Sequence, residues 1–137
     1  MSPEVQAFAS GFPVTLLHAG VTLLILVLAA AVYALLTPYK EVQAIREGNS
    51  AAAISYGGVL VGLAIPLAVC LSASPTVLEI AVWGAATTAV QLLLFRVTDM
   101  LLAGLPSRIQ EGEVAAAALL TGARLATALI LAAAVAG

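Results

Sequence analysis

Apolar residues fill this chain in four long runs, and polar residues gather between them. The runs cover roughly residues 14–36, 51–71, 76–97 and 114–136. A helix that crosses the hydrocarbon core of a bilayer needs about 20 predominantly apolar residues, so each run is long enough for one span. The third frays toward residue 102. Strands of a membrane barrel would alternate with period two, and these runs do not. The first run stops at Thr37 and Pro38, and the second ends before Ser72-Ala73-Ser74-Pro75. Only a few residues separate the second run from the third, which forces an antiparallel hairpin. The pattern predicts an all-α integral membrane protein with four transmembrane helices.

The polar stretches between the spans repeat. IREGNSAAAISYGG begins at Ile45, and IQEGEVAAAALLTG begins 64 residues later at Ile109. At that offset Glu47 falls on Glu111, Gly48 on Gly112, alanines 51–53 on 115–117, and Gly58 on Gly122. The first span falls on the third and the second on the fourth. The spacing predicts a tandem duplication of a two-helix hairpin within one transmembrane domain, 1–137, with copies at about 12–73 and 74–137. Two spans per copy give both copies one orientation. Gly48 and Gly112 suit a tight turn where the chain re-enters the bilayer. Asn49 or Ser50, and Glu113, stand where a helix wants an N-cap. Gly58 and Gly62 form a GxxxG pair with Gly122 and Ala126 as counterpart, a spacing that builds helix-packing surfaces in lipid. The connection TPYKEVQAIREGN reads as longer than its counterpart. Val42 and Ile45 lie on one side of it, with Lys40, Glu41, Arg46 and Glu47 around them. It is either a short interfacial helix or a solvated turn.

Composition sharpens this picture. Hydrophobic residues make up 63% of the 137 residues and charged residues only 9%. Soluble domains carry roughly 45–50% apolar and about 25% charged residues, so the main solvent of this chain is the lipid bilayer. The net charge is −2, and five Lys and Arg form no patch, so no nucleic-acid partner is expected. The single cysteine, Cys70, allows no intrachain disulfide. The first residues lack the basic region of a secretory signal. Lys40 and Arg46 lie between the first two spans, Arg108 lies between the last two, and Arg96 sits near that end of the third. The excess of positive charge on cytoplasmic loops then puts both connections in the cytoplasm and both termini outside.

Candidate chemistry lies among polar residues within the spans. Arg124 is the sharpest, because an arginine in the middle of a span costs roughly 2.5–3.5 kcal/mol on insertion scales. The repeat places Leu60 at the matching position of the first copy, so the charge is not part of the repeat. Thr87, Thr88, Gln91 and Thr98 form a stripe at helical spacing on the third span. Counting a rise of about 1.5 Å per residue puts Arg124 at the depth of 87–91. Arg124 is therefore expected to donate to Gln91 and the threonines, as a pore or solute site or as a packing hydrogen bond with a snorkelling side chain. His18, near the outer end of the first span, and Glu79, at similar depth on the third, are a candidate pair that would sense external pH. Pro66 removes a helical hydrogen bond and frees the carbonyl of Gly62. Arg96 and Asp99 read as an interfacial ion pair. No phosphate loop, catalytic triad or metal-ligand spacing is present, so neither an enzyme nor a cofactor is expected.

The run TPYKEVQAIREGNSAAAISYGGVLVGLAIPLAVCLSAS, the span carrying Trp83 and Gln91, and IQEGEVAAAALLTG resemble the domain-of-unknown-function 350 family of small bacterial inner-membrane proteins. The resemblance covers nearly the whole chain from the first span onward. It implies four transmembrane helices in a duplicated hairpin in the bacterial cytoplasmic membrane, with no site residue to carry over. Four spans are few to enclose a pathway, so a homo-oligomer is expected. Two functions are expected: an oligomeric pore or transporter-like assembly for an ion or small solute, or a non-enzymatic scaffold that recruits a cytoplasmic membrane-stress partner through the 37–50 loop and its Lys40, Glu41, Arg46 and Glu47.

Overall fold

The computed structural model describes residues 2–137. Among them there are six helices and no strand: α1 (Pro3–Leu36), α2 (Glu41–Arg46), α3 (Ser50–Ala73), α4 (Val77–Leu101), α5 (Leu105–Gln110) and α6 (Val114–Ala136). α1, α3, α4 and α6 are each long and apolar enough to cross a membrane. α1 begins well before the apolar run does. Ser2 caps it, its hydroxyl accepting from the Val5 amide at 3.3 Å, and Pro3 occupies the first turn, where a missing N–H costs nothing. Pro13 lies inside this helix without ending it. At 34 residues α1 is about 51 Å long, against a hydrocarbon core of about 30 Å. Its first turns carry Phe8 and Phe12, stacked with ring centroids 4.8 Å apart.

The two short helices share one end of the bundle, here called the loop end. Asn49 ties them together: its side-chain amide donates to the carbonyls of Ile109 and Gln110 at 3.0 and 3.2 Å. The turns after α2 and α5 have the same geometry. Gly48 and Gly112 adopt φ of 90° and 88°, the left-handed conformation that suits glycine. Their amides donate to Ile45 and Ile109 at 3.0 and 2.9 Å, and the next amides donate to Ala44 and Arg108 at 2.9 and 3.0 Å. The helix starts then differ. The Asn49 side-chain oxygen accepts from the Ala52 amide at 3.1 Å. Glu113 makes no capping bond and instead accepts from Arg108 Nε at 2.6 Å. The connection 37–49 exceeds its counterpart 102–113 by only one residue. The third span runs on as α4 to Leu101, and a six-residue helix follows it just as one precedes α3.

α3 sits at the centre. It packs most extensively against α6 and also touches α1, α4 and both short helices. Lipid tails offer no hydrophobic drive for helix association, so close approach and hydrogen bonds hold such a bundle. A Cβ at Gly58 would stand 2.8 Å from the Thr121 side chain, and one at Gly62 would stand 2.7 Å from the Phe95 ring. Alanines 51, 52, 116 and 117 close the loop end with Leu105, Ile109 and Leu120. Tyr33, Val59, Leu63 and Phe95 fill the middle with Ala29 and Ala30. Gly122 and Ala126 take no part in this contact. Both are exposed, and a Cβ at Gly122 would meet nothing within 4 Å. Leu120 and Arg124 face inward, and a position two residues on lies about 200° round the helix. The side chain opposite Gly58 is Thr121 instead. Inside α3, Pro66 leaves the Gly62 carbonyl without its helical donor, and the Gln91 side-chain amide of α4 fills that place at 3.2 Å.

Candidate functional site

All four spans meet at Arg124, which is 1% exposed. Side chains on a helix lean toward its N-terminus. The N-terminus of α6 is at the loop end, so the guanidinium lies loopward of its own Cα. There it meets the last turns of α1 and α4 and the second turn of α3. One terminal nitrogen donates to the Ser55 carbonyl and the Ser55 hydroxyl, both at 2.8 Å. The other donates to Asp99 Oδ1 at 3.0 Å and to the Tyr33 hydroxyl. Tyr33 in turn donates to Asp99 Oδ2 at 2.8 Å, closing a ring of charge-assisted hydrogen bonds. The guanidinium carbon also stands 5.3 Å from the Tyr33 ring centroid and 5.9 Å from that of Phe95. Of its nitrogens only Nε has no protein partner.

This arrangement corrects the partners read from sequence. Gln91, Thr87, Thr88 and Thr98 do not bind Arg124. Gln91 is spent on Gly62, Thr87 accepts from the Cys70 thiol at 3.5 Å, and Thr98 donates to its own helix at Leu94 at 2.8 Å. The depth count failed because it compared Cα positions, whereas the arginine reaches a turn or more toward the loop end. Asp99 does not pair with Arg96. It turns inward, because an uncompensated charge at Arg124 inside the bundle costs far more than an interfacial pair returns. Tyr33, Ser55 and Asp99 are the partners that sequence reasoning missed. The available signal was a second charge, Asp99, within the helical run of the third span. His18 and Glu79 share no hydrogen bond or ion pair among the described residues. His18 is half-buried on α1 and Glu79 is exposed in the first turn of α4.

The cluster expected on the surface of α2 also divides. Lys40, Arg46 and Glu47 are exposed, but Glu41 is half-buried. Its carboxyl is pushed up to about 7, chiefly by burial; the positive Arg124 opposes the shift and the negative Asp99 adds to it. One Glu41 carboxylate oxygen has no protein partner. Glu41, Arg96, Asp99 and Arg124 line a cavity of about 190 Å³ at the loop end. At the opposite end, Cys70, Ser74, Glu79 and Trp83 line a second cavity of about 220 Å³. Between the two, one buried face of α4 carries Thr87, Thr88, Gln91 and Phe95 in turn. The Thr88 hydroxyl and the Gln91 side-chain oxygen have no protein partner.

Four apolar helices closed around a buried ion pair define a multi-pass, all-helical protein of the bacterial inner membrane. The Domain of Unknown Function (DUF350) family matches residues 7–135, and the chain belongs to that family. The UPF0719 inner membrane protein YjfL of Escherichia coli strain K12 is 30% identical over 107 residues, 78% of this chain and 80% of that protein. The YjfL protein of Escherichia coli O157:H7 matches to the same extent. No solved structure matches.

Proposed function

We propose that this protein is a non-enzymatic subunit of a homo-oligomeric, transporter-like assembly that passes an ion or a small solute across the inner membrane. The observation that carries this reading is the line of polar groups along α4. Two cavities approach it from opposite ends of the bundle, and buried oxygens of Thr88 and Gln91 stand between them without partners. A buried oxygen with no donor costs roughly 1–3 kcal/mol, so a bundle selected only for stability has reason to remove it. Acceptor oxygens suit a species that is cationic or donates hydrogen bonds. Phe95, fully buried, and the Arg124–Asp99 pair close the line toward the loop end. Passage therefore requires the pair to open, and a passing cation that meets Asp99 would compete with Arg124 for its carboxylate. A four-span chain encloses little space, and copies packed side by side would complete the wall.

Purified protein in liposomes tests this reading under imposed proton, sodium and potassium gradients. Flux that falls at least tenfold in Gln91→Leu and changes in Asp99→Asn supports it. Absence of flux under every gradient, or flux indifferent to both substitutions, refutes it. That outcome moves the function to recruitment of a partner through the 37–50 loop.

A further inference from the structure

Beyond the wall formed by Glu41 lies a different feature. An open groove of about 1020 Å³ runs along the seam between α1 and α3. Its floor is Ala30, Ala31 and Ala34, and Leu26, Val27 and Leu60 rise beside it. The small side chains leave space that larger ones would fill, and the volume matches sites that hold whole small molecules, roughly 300–1,000 Å³. At the loop end the lining changes character. Lys40 and Arg46, at the two ends of α2, both border the groove. Among the described residues neither has an ion-pair or side-chain hydrogen-bond partner, whereas Arg108 is paired with Glu113. Neither neighbouring acid forms an ion pair with them: Glu47 accepts from Gln43 at 3.3 Å, and Glu41 is half-buried where the groove and the inner cavity adjoin.

We propose that this groove binds one anionic glycerophospholipid of the loop-end leaflet, its phosphate on Lys40 and Arg46 and one acyl chain along Ala30, Ala31 and Ala34. Three features fit this occupant. The groove follows α1 from Leu26 to Leu35, about 14 Å at helical rise. One leaflet of the hydrocarbon core is about 15 Å deep, half the whole. The charge sits at one end only, where a headgroup lies, and basic pockets between membrane helices are a recurring way to hold lipid phosphate. A second copy of the chain would lay an apolar span there and leave both cations without a counter-charge.

Native mass spectrometry of the purified full chain, with phosphatidylglycerol or phosphatidylcholine added, tests the site. Wild type should retain phosphatidylglycerol at least tenfold better. Each cation near an anionic lipid contributes about 1 kcal/mol, so Lys40→Gln with Arg46→Gln should cut that preference roughly 30-fold. The charge-retaining pair Lys40→Arg with Arg46→Lys should keep it. Ala34→Phe should weaken retention of both lipids by filling the groove. Protection of the buried Cys70 from maleimide reports that each variant is folded. Equal retention of the two lipids by wild type overturns the proposal, as does a preference that survives loss of both cations. Cross-linking of Ala31→Cys between copies in phosphatidylglycerol bilayers would make a second copy the occupant and overturn it equally.

Discussion

Removing the Asp99 carboxylate isolates the energetics of the buried centre. Arg124 Nη2 stands 3.0 Å from Asp99 Oδ1, and the two side chains are 1% and 9% exposed. At an effective dielectric of about 20 the attraction at that distance is about 5 kcal/mol. Asp99→Ala deletes this attraction but leaves the guanidinium in place, held only by Ser55 and the Tyr33 hydroxyl. Tyr33 loses its acceptor as well. Truncating one partner of a buried pair costs about 3–5 kcal/mol, and that is the expected loss. Replacing the centre removes both charges and the Tyr33 hydroxyl, and the Ser55 hydroxyl that loses its arginine donor can turn to a carbonyl of its own preceding turn, so Tyr33→Phe, Asp99→Leu and Arg124→Met together should return stability to within about 1 kcal/mol of wild type. The assay is unfolding by sodium dodecyl sulfate in mixed lipid–detergent micelles, read by maleimide labelling of Cys70. This is the only cysteine and is buried, so it reacts when the bundle opens. A single variant within about 1 kcal/mol of wild type would refute the reasoning, and so would a triple variant as unstable as the single one. The same triple variant should abolish flux, because stability and passage place opposite demands on the centre.

Three further outcomes follow from the geometry. The folded Glu41 carboxyl titrates at about 7 against an ordinary 4.5, so the folded state holds its proton more tightly than the unfolded chain. Its contribution to stability is complete below pH 4.5 and is lost as pH rises through 7; Glu41→Gln should flatten that profile and gain on the order of 2 kcal/mol at pH 8, measured by the same unfolding titration. Gln91→Leu leaves the Gly62 carbonyl bare and should cost about 1–2 kcal/mol, while adding Pro66→Ala restores the helical donor and should recover most of it. Gly62→Leu drives a side chain into Phe95 and should cost at least about 2 kcal/mol, whereas Gly122→Leu meets open space and should leave stability within about 0.5 kcal/mol of wild type; equal costs at the two glycines would contradict the packing described.

How far the sequence reaches differs from element to element. The four spans were legible because the bilayer requires about 20 apolar residues from any helix that crosses it, and nothing in tertiary structure can waive that requirement. The two re-entry turns were legible because Gly48 and Gly112 are the residues that a left-handed turn prefers. The carbonyl freed by Pro66 was legible, since a proline ring has no N–H to give, but its acceptance of the Gln91 amide was not. The early start of α1 was hidden because its first turns rest on a serine cap rather than on an apolar run. The partners of Arg124 were hidden for a geometric reason. Depth along a helix is countable from sequence, but the azimuth of each helix and the reach of a long side chain are set by how the helices pack. Gly58 and Gly122 occupy matching positions, yet α3 turns its glycine inward and α6 turns its glycine out, because α3 lies at the centre with neighbours on several sides and α6 lies at the edge. The sequence by itself determined that this chain lives in lipid as four helices with charged turns. Only the tertiary structure decided which charges meet, because pairing depends on how far each helix is rotated, and periodic apolar runs leave that rotation free.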